Sequence, residues 1–341
     1  MKRLIFLSVA LLCFICQAAV RAESLISVDQ RRGVEQTFLT FPEWYLVHSP
    51  AEYAAYVAHH PAHDFPFLGH VGQLWSSYRT ITAEQIRAGY PANAGYHVMV
   101  CVIATSTTVE YGLRSIYENT VGRVSLAASS GRLTEEDRYG AAVAQGYVDF
   151  IRKEPWYLYD FYSKLKGLWS TTPAFGQGMV RKWERRYALT TEYAIKAVYA
   201  KLIELATGSA YEPALMTTRV VVEDAPKAIP ANTKIVRELG DGRAIMDLPR
   251  YFDFRIAATQ LANSGGKLVD IAGNESVILV SVLANDEASF TTTGSRILFE
   301  QPMITIPGKK RVALVLPVSE LSSFLSRALE QGLAVEHVYD Y

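Results

Sequence analysis

Between Thr37 and Val47 the chain reads Thr-Phe-Leu-Thr-Phe-Pro-Glu-Trp-Tyr-Leu-Val, an aromatic run that straddles a proline. Pro42 suits the first turn of a short helix, with Thr40 as its cap. Ser49 followed by Glu52 has capping-box spacing and predicts a second helix that stops at Pro61. Helical patterns follow from Val71 to Tyr78 and from Thr82 to near Gly89. Asn93 then caps the stretch Ala94–Thr120, apolar from Val98 to Ala104, with Glu110, Arg114 and Glu118 spaced by four. That stretch predicts a helix buried in the middle of a helical domain. Its apolar part is far shorter than the roughly 20 residues a membrane crossing needs. Thr134 opens another helix, and Pro155 starts one with Leu158, Phe161, Tyr162, Leu165, Leu168 and Trp169 on one face. A long helix runs from about Met179 to Ala206, closed by Gly208.

After Tyr211 the pattern changes to β-branched strands. Strands are expected at Arg219–Val222, Lys234–Leu239, Arg243–Leu248, Lys267–Ala272, Val277–Ala284, Ile297–Ile306, Arg311–Pro317 and Ala334–Tyr339. Helices are expected at Tyr251–Asn263 and Ser319–Gln331. Two strand–helix–strand crossovers frame a hairpin, the ferredoxin-like βαββαβ pattern with an extra hairpin inserted. The expected organisation is therefore a signal peptide (1–22), a mostly α-helical domain (23–210) and a C-terminal α+β domain (211–341). No internal repeat is visible in the residues.

Residues 1–22 have a basic start at Lys2 and Arg3, an apolar stretch and small residues before Glu23, the layout of a secretory signal. Cleavage would remove Cys13 and Cys16 and leave Cys101 alone, so no internal disulfide is expected in a periplasmic or secreted product. An uncleaved segment would instead act as an N-terminal membrane anchor. The chain carries 34 basic and 34 acidic residues, which excludes an overall nucleic-acid signature.

Charge is uneven locally. From Arg152 to Lys201 there are ten basic side chains against four acidic ones, with 11 aromatics. Arg152, Lys153, Trp156, Lys164, Lys166, Trp169, Arg181, Lys182, Trp183, Arg185 and Arg186 are candidates for a membrane interface, where rings sit at headgroup depth and cations meet anionic lipid. His59, His60 and His63 are candidate ligands of a transition metal, although Pro61 interrupts their helical spacing. Glu43, His70, His97 and Glu110 are candidates for acid/base work in a helical pocket. Glu110 would need a partner if buried, with Arg114, Arg185 and Arg186 in reach.

Nucleophile-elbow, phosphate-loop and dinucleotide motifs are missing, and no cofactor is predicted beyond that metal. The sequence thus points to an exported cell-envelope protein, non-enzymatic, acting as a membrane-surface-associated binding or assembly factor. Its partner would be an anionic membrane surface or another envelope protein. The alternative is an exported enzyme with an acid/base or metal pocket in the helical domain.

Overall fold

The computed structural model describes residues 24–207, 215–226, 228–288 and 294–340. The expected signal segment and the expected helix stop at Gly208 lie outside the described residues. A helical region precedes a mixed α+β region, as the hydropathy pattern predicts. The helices are α1 (Glu35–Val57), α2 (Phe67–Arg87), α3 (Ala94–Tyr117), α4 (Arg123–Ala128), α5 (Glu135–Ile151), α6 (Phe161–Thr171) and α7 (Met179–Thr207). A π turn at Glu118–Gly122 joins α3 to α4. Asn93 caps α3 by accepting from the Tyr96 amide, and Thr134 with Asp137 forms a capping box on α5.

The α+β region holds β1 (Thr217–Glu223), β2 (Lys234–Glu238), β3 (Ala244–Pro249), α8 (Phe252–Asn263), β4 (Lys267–Ile271), β5 (Val277–Asn285), β6 (Arg296–Pro302), β7 (Lys309–Pro317), α9 (Val318–Ala328) and β8 (Ala334–Val338). Two antiparallel sheets form, ordered β2-β3-β1-β4 and β6-β7-β5-β8. Both strand–helix–strand units read from the sequence are present, as β3–α8–β4 and β7–α9–β8. They do not share one ferredoxin-like sheet. Each pair of joined strands flanks its own central strand, β1 or β5, so each unit completes a separate four-stranded sheet.

The two sheets are copies of one βββαβ module of three strands, a helix and a fourth strand, repeated down to the irregularities. Val220, Val221 and Val222 face Ile271, Asp270 and Leu268, with a bulge before Val222. Val280, Ser281 and Val282 face Val338, His337 and Val335, with a bulge before Val282. The edge strands β2 and β6 carry matching bulges after Ile235 and Ile297. Each third strand ends in Leu-Pro, at Leu248-Pro249 and Leu316-Pro317, just before its helix. A bulge bends its strand and re-aims side chains, and here it does so at the same places in both copies. The repeat is therefore clearest in the backbone register, with only scattered shared residues such as the Leu-Pro pair. Helices α8 and α9 touch each other and both sheets. Their apolar faces meet Val220, Met246, Val280 and Leu314 in one core.

The outer face of the second sheet is covered by α1. Phe38, Phe41, Trp44 and Tyr45 pack with Leu279, Ala313 and Val315 from the sheet and with Leu74, Ile81 and Ala104 from α2 and α3. Thr37 accepts from the Leu279 amide at 3.0 Å and donates to the Tyr339 carbonyl at 3.2 Å, stitching the helix to the sheet backbone. This burial corrects two expectations. First, Pro42 and Pro50 lie inside one 23-residue helix rather than starting separate ones. Packing against α2, α3, α5 and the sheet offsets the hydrogen bonds that the prolines remove. Second, the central buried helix is α1. Most of α3 is exposed or half-buried, with only Val100, Ala104 and Tyr111 fully buried.

Phe41 is fully buried, 5.0 Å from Phe299 and 5.4 Å from Tyr339 between ring centres. Phe41→Ala is expected to cost about 3–5 kcal/mol. Because that ring contacts both regions, amide hydrogen exchange should speed up together in α1 and in β5–β8. Faster exchange in only one of them would show that the two regions are uncoupled.

Candidate functional site

A cavity of about 900 Å³ lies among α1, α3, α5 and α7. On α1 its wall runs from Glu43 to Val57, and on α7 from Arg185 to Tyr199. At 1.5 Å rise per residue each wall is about 21 Å long. Most of the wall is apolar or aromatic: Val47, Pro50, Val143, Ala144, Ala188 and Leu189, with Tyr53, Tyr111, Tyr147 and Tyr193.

Four charges form a ring at the waist. Arg114 reaches Glu192 at 2.7 Å, Lys196 reaches Glu192 at 2.9 Å and Glu110 at 3.0 Å, and Arg114 stands 3.7 Å from Glu110. Two acids and two bases cancel. Arg114 also lies over the Tyr53 ring at 4.7 Å, and Lys196 over Tyr147 at 5.7 Å. Burial alone would raise the Glu192 carboxyl, but the Arg114 and Lys196 charges outweigh it and hold it down at about 2. Lys196 is raised although burial opposes it, chiefly by the charges of Glu110 and Glu192. Arg185 and Arg186, considered as partners for Glu110, are engaged elsewhere.

Those two arginines belong to a second network at the start of α7. Arg181 binds Asp137 at 2.7 Å and Glu184 at 3.0 Å, and Arg185 binds Glu118 at 2.8 Å and Glu184. Lys182 binds Glu136 at 3.1 Å and Arg186 binds the same carboxylate at 3.0 Å. All four cations are buried. Four of the cations expected at a membrane surface therefore spend their charge tying α7 to α5 and to the π turn. Trp169, Trp183 and Lys166 are exposed, as is most of Lys153, while Lys164 and Trp156 are half-buried. Arg152 is about a third exposed and lies over the Phe252 ring.

The acid/base candidates do not form one constellation. Glu43 accepts from the Tyr96 hydroxyl, and burial raises its carboxyl. His70 lies 3.4 Å from the Tyr45 hydroxyl and 3.8 Å from Glu52. His97 meets the Tyr78 hydroxyl at 2.9 Å, and the Cys101 thiol donates to that same oxygen. Glu110 belongs to the waist. Glu43, His70 and Glu110 border the large cavity, and His97 does not. The histidine run does not gather either: His60 stacks on Tyr56, and His63 turns to Asp64. Among the described residues no three His, Cys, Asp or Glu side chains come together as a metal site.

Beneath α1 lies a polar cluster that the sequence reading missed. Arg311 donates to Glu336 at 2.6 Å and to Glu52 at 2.9 Å. His48 stands 3.5 Å from Glu336, and His337 stacks on Trp44 at 3.6 Å. The members come from α1, β7 and β8, so no spacing within one element announces them. The waist did leave a trace: Glu110–Arg114 and Glu192–Lys196 are each an i, i+4 acid–base pair on an otherwise apolar helix.

No family model, curated protein or solved structure matches this chain.

Two predictions follow from these charges. Lys196→Met leaves Glu110 and Glu192 short of a cation. It is expected to lower stability by about 2 kcal/mol in denaturant titration, less than a fully buried pair because a fifth of the side chain meets the cavity. The second concerns pH. Burial pushes His48 and His70 down to about 4 from 6.5, and it also holds His337 well below 6.5. Between 6.5 and 4 the unfolded chain binds more protons at these positions than the folded chain, so they make stability fall as pH falls. Neither ring nitrogen of His337 has a hydrogen-bond partner among the described residues. His337→Phe should therefore keep the stack on Trp44 and shrink the loss of Tm between pH 6.5 and 4. An unchanged loss would mean that His337 does not contribute to acid sensitivity.

Proposed function

We propose that this is an exported cell-envelope protein that rests on a membrane surface and acts by binding rather than by catalysis. The observation that carries the reading is a pair of exposed apolar stripes. On α3, exposed positions 98, 102, 105, 106, 109, 113 and 116 are Val, Val, Thr, Ser, Val, Leu and Ile. On α7, the exposed positions from Met179 to Tyr199 also carry no charge and include Val180, Trp183, Tyr187, Ile195 and Val198. Contiguous apolar surface of this kind marks a partner or membrane site.

A lipid surface is favoured by what borders the α7 stripe. Trp169 packs edge-on to Trp183, and Lys166 lies over the exposed Tyr162 ring at 4.4 Å. Such rings suit headgroup depth, with lysine beside them. No helix among the described residues is long and apolar enough to cross a membrane, which fits a protein lying on the surface. Because the buried cations of α7 are neutralised internally, attachment should depend on apolar contact more than on charge.

Vesicle flotation tests this. The chain from residue 23 onward should float at low and high salt. Val102→Asp with Ile116→Asp should reduce the floated fraction by about tenfold or more without lowering Tm, since both side chains are exposed. Absence of flotation at either salt concentration would overturn the membrane reading and leave another envelope protein as the partner for the stripes.

A further inference from the structure

The cavity among α1, α3, α5 and α7 combines three properties that bear on what it holds. It is long, about 21 Å by the rise of its helical walls, and its volume of about 900 Å³ is at the upper end for a single-ligand site. Its wall is mainly hydrocarbon and aromatic ring. At the waist the ring of Glu110, Arg114, Glu192 and Lys196 is closed on itself and sums to zero charge. Of the other charges on the wall, Glu118, Glu136, Asp137 and Arg185 are paired in the network at the start of α7, Glu43 accepts from Tyr96, and Lys153 and Glu154 are exposed.

The opening adds a fourth. Val109 and Leu113 of α3 and Tyr187, Ile195 and Tyr199 of α7 border the cavity and are also exposed. The same residues belong to, or adjoin, the two apolar stripes. A molecule passing between α3 and α7 to or from the cavity would therefore cross an apolar rim.

We infer that the cavity binds one membrane amphiphile whose polar group carries no net charge, zwitterionic or uncharged, with its apolar part along the helical walls. The inference rests on the membrane reading above, because the rim opens onto the proposed docking face. The charge preference follows from the waist. Each of the four charges already has an opposite partner, so a net anion or cation beside them would be an extra charge in a site of low polarity. A polar group of zero net charge can align its dipole with the ring and leave no charge over.

The test separates lipid uptake from membrane attachment. The chain from residue 23 onward is incubated with vesicles of equal phosphatidylethanolamine and phosphatidylglycerol and recovered by gel filtration. Its lipid is then extracted and quantified by mass spectrometry. About one lipid per chain is expected, with phosphatidylethanolamine, the net-neutral lipid, in clear excess over the anionic phosphatidylglycerol. Ala144→Phe and Ala188→Phe, made separately, place a ring in the cavity from α5 and from α7. Each should lower the recovered lipid by about fivefold or more, while still floating with vesicles. No recovered lipid, or an excess of phosphatidylglycerol, would overturn the inference. So would full uptake by either variant with unchanged circular dichroism. A chain that floats but carries no lipid would sink this inference alone. A chain that carries lipid but does not float would sink the docking surface alone.

Discussion

The guanidinium of Arg311 lies buried on the outer face of the second sheet, where an unpaired charge would cost several kcal/mol. It is met by Glu336 from the same sheet and by Glu52 from α1. Burial would raise Glu336, yet the arginine charge beside it brings its carboxyl down to about 2. This pairing makes the helical and α+β regions conditional on each other. Glu52 needs the sheet to supply its cation, and Arg311 needs α1 both to cover it and to complete its charge. The repeat makes the point by comparison. In the first module the equivalent position, preceding Ala244 as Arg311 precedes Val312, is Arg243. That arginine is only partly buried and pairs with Asp241 two residues away. The same backbone position carries a surface arginine where no helix covers it and a buried one where α1 does.

Element types were largely legible in the sequence because they follow from local rules. Alternation and β-branching marked every strand of the α+β region, and Asn93 and Thr134 capped the helices they were expected to cap. What failed depended on partners distant in sequence. Ser49 and Glu52 have capping-box spacing, but Ser49 bonds the Tyr111 hydroxyl and Glu52 pairs with Arg311. Thr82, expected to start a helix, instead donates back to the Tyr78 carbonyl within α2. The duplicated module was hidden because its shared property is hydrogen-bond register. Many matching positions differ, with Val221 opposite Asp270 in one copy and Ser281 opposite His337 in the other, and shared ones such as Val220 with Val280 are too common in strands to announce a repeat.

The candidate site was legible only in part, for a related reason. Glu110 was identifiable as a charge in need of a partner, but its closest cation, Lys196, sits on a helix far along the chain. The apolar run of α3 was a real signal, yet hydropathy reports that a surface avoids water and not which apolar phase receives it. Val100 and Ala104 go to the protein core, and Val98 and Val102 point outward.

Helix α7 combines both outcomes in one element. At its start, Arg181, Lys182, Arg185 and Arg186 turn inward to carboxylates of α5, the π turn and α7 itself. Val180, Trp183 and Tyr187, interleaved with them, are exposed. This inverts the usual amphipathic helix, in which apolar side chains face the core and charges face water. The inversion explains why counting bases and aromatics over this segment gives the right element and the wrong chemistry. The cations that suggested an electrostatic attraction to lipid build the scaffold, and the aromatic and aliphatic side chains between them supply the outer surface. On the membrane reading proposed above, a surface made in this way would attract through apolar area, which salt leaves intact while it screens exposed charges.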